Sequence, residues 1–256
     1  MKKNILIGGL VAVVFVGGAG AWYATQPQLP VATEYRSIAT VVPTPLATTA
    51  TTVVTAPVVT SASAEPLPQA FQLKVPFYAQ APFGNWDLPW QEACEEASVL
   101  LAANVYFGHN WTREQFNQQI LDLVEWQKAT FGGYEHTDME QTSKILNDYL
   151  GLDSKIIDNP TFDQVKATLA RGHLVVMPFA GKQLGNPYYS NGGPVYHVIL
   201  IKGYTKDNQL ITHDVGTRRG ENYLFPWSVI EAANHDYAQP IESGVPRMIE
   251  IIPPSA

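Results

Sequence analysis

The chain changes its hydrophobic period near residue 172, and that change decides what it can fold into. Between Cys94 and Arg171, apolar residues recur three and four apart. Ala97, Leu100, Leu101 and Val105 form one such set, Phe116, Ile120, Leu123 and Val124 a second, and Phe162, Val165 and Leu169 another. This spacing places one apolar stripe on a helix. After Gly172 the apolar residues come in short blocks at 174–179, 196–203, 209–213 and 248–252. These read as strands of an antiparallel sheet, with Lys206, Asp207 and Asn208 as a hairpin turn between two of them. Helices first and a sheet afterwards predict an α+β domain.

Local signals set the boundaries. Thr112 precedes an apolar-periodic run with Gln115 three residues on, the pattern of a capping box, and Thr161 is placed to cap a later helix. A helix over 138–150 should end at Gly151. Short strands are expected at 73–78 and 154–157, and 81–91 reads as a loop containing Pro82, Gly84, Pro89, Trp86 and Trp90.

The first seventy residues are of different material. After Lys2 and Lys3 comes an uncharged run from Ile5 to Ala24. About 20 apolar residues suffice for one membrane-crossing helix. The lysine bias keeps the N-terminus cytoplasmic and puts the rest of the chain outside. Residues 1–24 are therefore expected to be a signal anchor, with a cleaved signal peptide as the alternative, because Ala19-Gly20-Ala21 has a small-x-small pattern. Residues 25–71 are rich in Thr, Ala, Val and Pro, with only Glu34, Arg36 and Glu65 charged. Prolines at 27, 30, 43, 45, 57, 66 and 68 block helix and discourage sheet. An extended, disordered stalk is expected there, with one or two strands from the Val-Thr stretches as the alternative. Residues 72–254 then form the folded domain, a length that suits one core. The whole-chain net charge is −7, and the domain carries −8, since Lys2, Lys3 and Arg36 outnumber the two acids before it by one. An acidic domain argues against nucleic acid or anionic lipid as a partner.

The chain has one cysteine, Cys94, so no internal disulfide can form. A buried, inert thiol is the bland reading. Gln91, Glu92, Glu95 and Glu96 around it argue against deep apolar burial, and an exported free thiol is exposed to oxidation. Cys94 heads a helical run, where the helix N-terminus favours a thiolate. His197 opens a strand about a hundred residues later, and Asp214 follows His213 at the end of another. Cysteine, then histidine, then acid is an order that supports nucleophilic catalysis. A strand-edge histidine and an Asx turn are the bland readings of His197 and Asp214. Alternation turns His213 to the opposite face, which makes it structural. His109, His136, His173 and His235 have no metal-ligand spacing, so neither metal nor cofactor is expected. The sequon Asn110-Trp111-Thr112 is better explained by the Thr112 cap.

Four stretches together carry a family resemblance: 75–80 (Val-Pro-Phe-Tyr-Ala-Gln), the Cys94 run, 193–198 with Gly203-Tyr204, and 213–217. They resemble the papain-fold cysteine peptidases related to bacteriocin-processing, double-glycine leader peptidases, in the stand-alone C-39-like branch. The likeness covers nearly all of 72–254. It implies a helical half carrying Cys94 packed on an antiparallel sheet carrying His197 and Asp214, with those three as catalytic residues. It also implies an oxyanion glutamine at Gln80. The thirteen residues from Ala81 to Ala93 lie where the family has only a few, which makes Gln91 the alternative. Glu95 stands where the family has a small residue, and its charge would oppose a thiolate. The expected function is an extracytoplasmic, membrane-anchored thiol peptidase acting on a peptide or protein. The alternatives are a cell-wall peptide amidase or endopeptidase and a catalytically silent papain-fold binding module. Trp86 and Trp90 either line the substrate groove or pin the inserted loop.

Overall fold

The computed structural model describes residues 66–255 and the two-residue strand Tyr35–Arg36. The expected anchor at 1–24, and most of the expected stalk at 25–71, lie outside the described residues. Among the described residues, no helix is long and apolar enough to cross a membrane.

Capping boxes mark the starts of three helices. Helix α1 is Cys94–Tyr106, α2 is Arg113–Phe131, α3 is Met139–Lys144 and α4 is Phe162–Ala170. Thr112, Asp138 and Thr161 each accept a bond from the backbone N–H three residues on. Gln115, Gln141 and Gln164 each return a side-chain bond to the cap. Each box satisfies donors that a helix start leaves bare. The helix expected over 138–150 is two pieces, because α3 runs into a π-helical turn at Ile145–Tyr149. Gly151 then turns the chain with φ 67°, a conformation that other residues rarely adopt.

The sheet consists of β1 (Tyr35–Arg36), β2 (Phe71–Leu73), β3 (Ser154–Asp158), β4 (Leu174–Ala180), β5 (Tyr196–Tyr204), β6 (Gln209–His213), β7 (Tyr223–Pro226) and β8 (Arg247–Ile251). Strands β1, β2, β5, β4, β8 and β3 are neighbours in that order; β6 joins β5 and β7 joins β6. Every pairing is antiparallel except β1 with β2. Strand β5 is buried along its whole length and links β2, β4 and β6. Gly203 allows this crowding, since a Cβ there would lie 2.4 Å from the Phe71 carbonyl oxygen.

Three expectations need correction. The entry strand is Phe71–Leu73 rather than 73–78, so Phe71 belongs to the buried body and not to the stalk. Tyr35–Arg36 pairs with Gln72 and Leu73, outside the Val-Thr stretches where an extra strand was considered. Strand β7 and helix α5 (Trp227–Ala233) lie where no element was expected.

The core gathers between the sheet and the helices. Helix α1 lies against β5, where Ser98 Oγ donates to the Val198 carbonyl at 3.1 Å. Its apolar face is wider than the expected stripe: every residue from Cys94 to Asn104 is buried. Helix α2 covers it with Phe116, Ile120, Leu123 and Val124, as the period predicts.

Candidate active site

Three elements converge on one cleft. Cys94 is the first residue of α1, His197 the second residue of β5, and Asp214 the residue after β6. Strand pairing fixes the histidine, because His197 sits opposite Phe179 in the β4–β5 ladder. Cys94 and His197 both line a cleft of about 1330 Å³, together with Gln80, Trp86, Tyr189 and Gly216.

Asp214 is fully buried, and its carboxylate is held from four directions. His197 Nε2 donates to Oδ1 at 2.8 Å, and the Gly216 N–H reaches the same oxygen at 3.1 Å. Asn186 Nδ2 and Tyr189 Oη donate to Oδ2 at 2.7 and 2.5 Å. Burial alone would raise its pKa. The His197 ring and the bonds from His197, Tyr189 and Asn186 outweigh burial and hold it below the usual carboxylate range. An ionised acceptor fixes the His197 tautomer: Nε2 carries the proton, and Nδ1 offers a lone pair. His197 Nδ1 is buried and has no partner.

The thiol is less prepared. Cys94 is 5% exposed, against the expectation that its acidic neighbours would keep it from burial. Those neighbours went in with it, since Glu95 and Glu96 are 1% and 0% exposed. Cys94 Sγ donates to Glu95 Oε2 at 3.0 Å. Burial first, then the Glu95 charge and this bond, push the Cys94 pKa well above its ordinary value. Glu96 accepts a bond from Gln127 of α2, which in turn accepts one from Thr137 at 2.9 Å. Burial pushes Glu96 up to about 7.

Gln80 lies buried beside the loop that leads to Cys94. Its Nε2 donates to the carbonyls of Trp90 and Gln91, both at 2.9 Å, while its Oε1 has no partner. Exchanging amide N and O would set Oε1 against two carbonyls, so this orientation stands. Gln91 is exposed, with its side chain directed to Glu92 at 3.3 Å. The two tryptophans separate. Trp86 lines the cleft, whereas Trp90 donates from Nε1 to Asn117 of α2 at 2.9 Å and pins the inserted loop.

His213 is structural. It donates from Nε2 to the Val75 carbonyl at 2.9 Å and accepts the Asn222 N–H at Nδ1. Among the described residues, no group of three or more His, Cys, Asp or Glu side chains could hold a metal ion.

The sequence model of the Peptidase_C39 like family matches residues 72–239. The chain belongs to this family. It is a cysteine peptidase, its α+β architecture is papain-like, and its substrates are peptides or proteins. No curated protein matches the chain. Among solved structures, one described as a C39-like peptidase from Bacillus anthracis is 14% identical, with a TM-score of 0.48. The match covers 74% of this chain and 98% of that one. Xylellain, a cysteine protease from Xylella fastidiosa, is 13% identical over 73% of this chain and 87% of its own, with a TM-score of 0.47. The family match covers α1, β5 and β6, and so takes in Cys94, His197 and Asp214.

Two functional neighbours carry no signal in the sequence. Asn186 and Tyr189 lie in an irregular loop, and only the fold brings them to Asp214. Gly216, which lies in the 213–217 stretch, is a further neighbour. A Cβ there would lie 2.7 Å from His197 Cε1, so this position must stay bare for the ring to reach Asp214.

Proposed function

We propose that this C39-like peptidase cleaves peptide bonds through Cys94, His197 and Asp214. The observation that carries the reading is the state of His197. One ring nitrogen is fixed on a buried, ionised Asp214, while the other is unpartnered beside the cleft that also holds Cys94. A histidine buried only for structure would have both nitrogens satisfied, as His213 does.

The chemistry follows from those atoms. The thiol proton moves from Sγ to His197 Nδ1, and the thiolate attacks the scissile carbonyl carbon. An S–C bond forms and the carbonyl electron pair moves to oxygen. The Cys94 backbone N–H, which has no intrahelical partner at the start of α1, faces that oxyanion. Gln80 supplies the second donor by transferring one N–H from a loop carbonyl to the oxyanion. Gln91, the alternative donor, also lines the cleft but is exposed and bonded to Glu92. The C–N bond then breaks, the Nδ1 proton goes to the leaving amine, and water hydrolyses the thioester. The lysine-flanked apolar N-terminal run supports an extracytoplasmic, membrane-anchored setting for this work.

The test is the pH dependence of Cys94 alkylation, with the rate of peptide hydrolysis measured beside it. The reading expects a thiolate population that falls in His197→Ala, together with hydrolysis that is lost in both His197→Ala and Cys94→Ser. Alkylation indifferent to His197, with no hydrolysis of any peptide or cell-wall fragment, would leave the silent binding module as the better description.

A further inference from the structure

Glu95 is the second residue of α1, and it touches the reacting sulfur. Its Oε2 accepts the Cys94 S–H at 3.0 Å, and its Oε1 is buried with no partner. In the arrangement seen here, the thiol proton is committed to Glu95 and not to the open lone pair of His197 Nδ1. A desolvated carboxylate with one bare oxygen is costly, and packing alone would be served as well by an uncharged side chain of that size.

Burial and the neighbouring acids oppose its charged form, while the Cys94 thiol and a backbone N–H favour it. On its own helix stand Cys94 and Glu96, the latter bonded by Gln127 of α2. The loop before α1 contributes Glu92, and β5 contributes Tyr196 and His197, with Asp214 behind the histidine. Among the described residues, no lysine or arginine is ion-paired with Glu95. Burial, followed by the charge of Glu96, pushes the Glu95 carboxyl well above its ordinary range. The two carboxyls are consecutive and buried, so they cannot both ionise cheaply.

We propose that Glu95 is a further catalytic residue that sets the proton inventory of the nucleophile: as a carboxylate it holds the Cys94 proton and keeps the sulfur inert, and as a carboxylic acid it donates to the thiolate. The inference rests on the Cys94–His197–Asp214 reading above. With Glu95 ionised, one proton lies between Sγ and Oε2, and His197 gains none. With Glu95 protonated, Oε2 no longer accepts. The S–H bond breaks, an Nδ1–H bond forms, and the Glu95 O–H turns to the new thiolate. The three groups keep zero net charge through this transfer, which suits a site without solvent. Cleavage therefore runs while Glu95 is protonated and stops as Glu95 ionises.

The test compares wild type, Glu95→Gln and His197→Ala, full chain in each case, by Cys94 alkylation and peptide hydrolysis across pH 4–10. Glu95→Gln keeps the volume and a donor to sulfur but cannot take the proton. Its own acid-side rate serves as the reference for its profile. On the alkaline side it should exceed wild type at least tenfold, because the fall in rate with rising pH is removed. Superimposable wild-type and Glu95→Gln profiles overturn the role of Glu95 alone, provided His197→Ala still depresses the thiolate. An alkylation profile indifferent to His197→Ala overturns the triad reading and this proposal with it. If Glu95→Gln does not fold, infrared titration of Glu96→Gln, which removes the band of the neighbouring buried carboxyl, decides. A protonated-carboxyl band that disappears with the same midpoint as activity supports the role; no such band overturns it.

Discussion

Acid should unfold this peptidase partly through His213, a residue outside the proposed triad. The ring is fully buried, donates to the Val75 carbonyl and accepts the Asn222 N–H, so a second proton has nowhere to go. Burial, and then the nearby charge of Lys202, lower its pKa from 6.5 to about 3. As pH falls below about 6.5 the unfolded chain binds a proton that the folded chain refuses, so stability is lost progressively down to about pH 3. At about 1.4 kcal/mol per pKa unit, the loss is roughly 2 kcal/mol at pH 5 and roughly 3 kcal/mol at pH 4. Buried carboxyls titrate over the same range, so the measurement must be a difference. His213→Gln keeps an Nε2 donor for Val75 and cannot ionise. Urea unfolding of wild type and His213→Gln at pH 7, 6, 5 and 4 should show the wild-type advantage shrinking by roughly 3 kcal/mol from pH 7 to pH 4. A difference independent of pH would refute the reasoning, because it would mean that His213 binds its proton equally well in both states.

Other outcomes follow from the same geometry. Glu96 has its pKa raised to about 7 in the fold, so its contribution is present at low pH and is lost as pH rises from about 4.5 through 7. Glu96→Gln should remove roughly 3 kcal/mol of that decline, read as thermal midpoints that converge at pH 4.5 and separate at pH 7.5. Tyr189→Phe deletes the 2.5 Å bond to Asp214, a bond to charge worth roughly 1.5–3 kcal/mol, and should cut kcat about tenfold while moving the acid limb of the activity profile to higher pH. An unmoved acid limb would show that Tyr189 does not tune Asp214. Gly216→Ala places a methyl 2.7 Å from His197 Cε1 and should lower kcat/KM by at least about a hundredfold with little change in melting temperature. Activity within threefold of wild type would count against the described ring position.

The fold class was legible because helix and strand periods occupy separate halves of the domain. Side chains from Thr112 and Thr161 could be read as caps because a capping box is local, needing only residues i and i+3. The placement of His197 and Asp214 at strand ends was legible for a similar reason, since short apolar blocks mark both strands. The state of the thiol was not. Glu95 and Glu96 look like the solvated first turn of a helix, and nothing local says that β5 and α2 close over both of them. Strand β7 and α5 were missed because Pro226 sits between them and both are short, so neither develops a period. Phe71 was read as stalk because its burial depends on Tyr204, more than a hundred residues downstream.

The enclosure of α1 also has a kinetic consequence. Eleven consecutive residues of this helix are buried, so it has no face that could stay wet while the rest of the chain folds. Its contacts on β5 lie a hundred residues further along the chain, as in the Ser98–Val198 bond. Closing so long a loop is slow, and until it closes the helix has nothing to lie against. Cys94 and His197 therefore come together only when that loop closes. A nascent chain carries a cysteine but not yet an enzyme, and during that interval the exposed α1 segment is the part of the molecule most in need of shelter from aggregation.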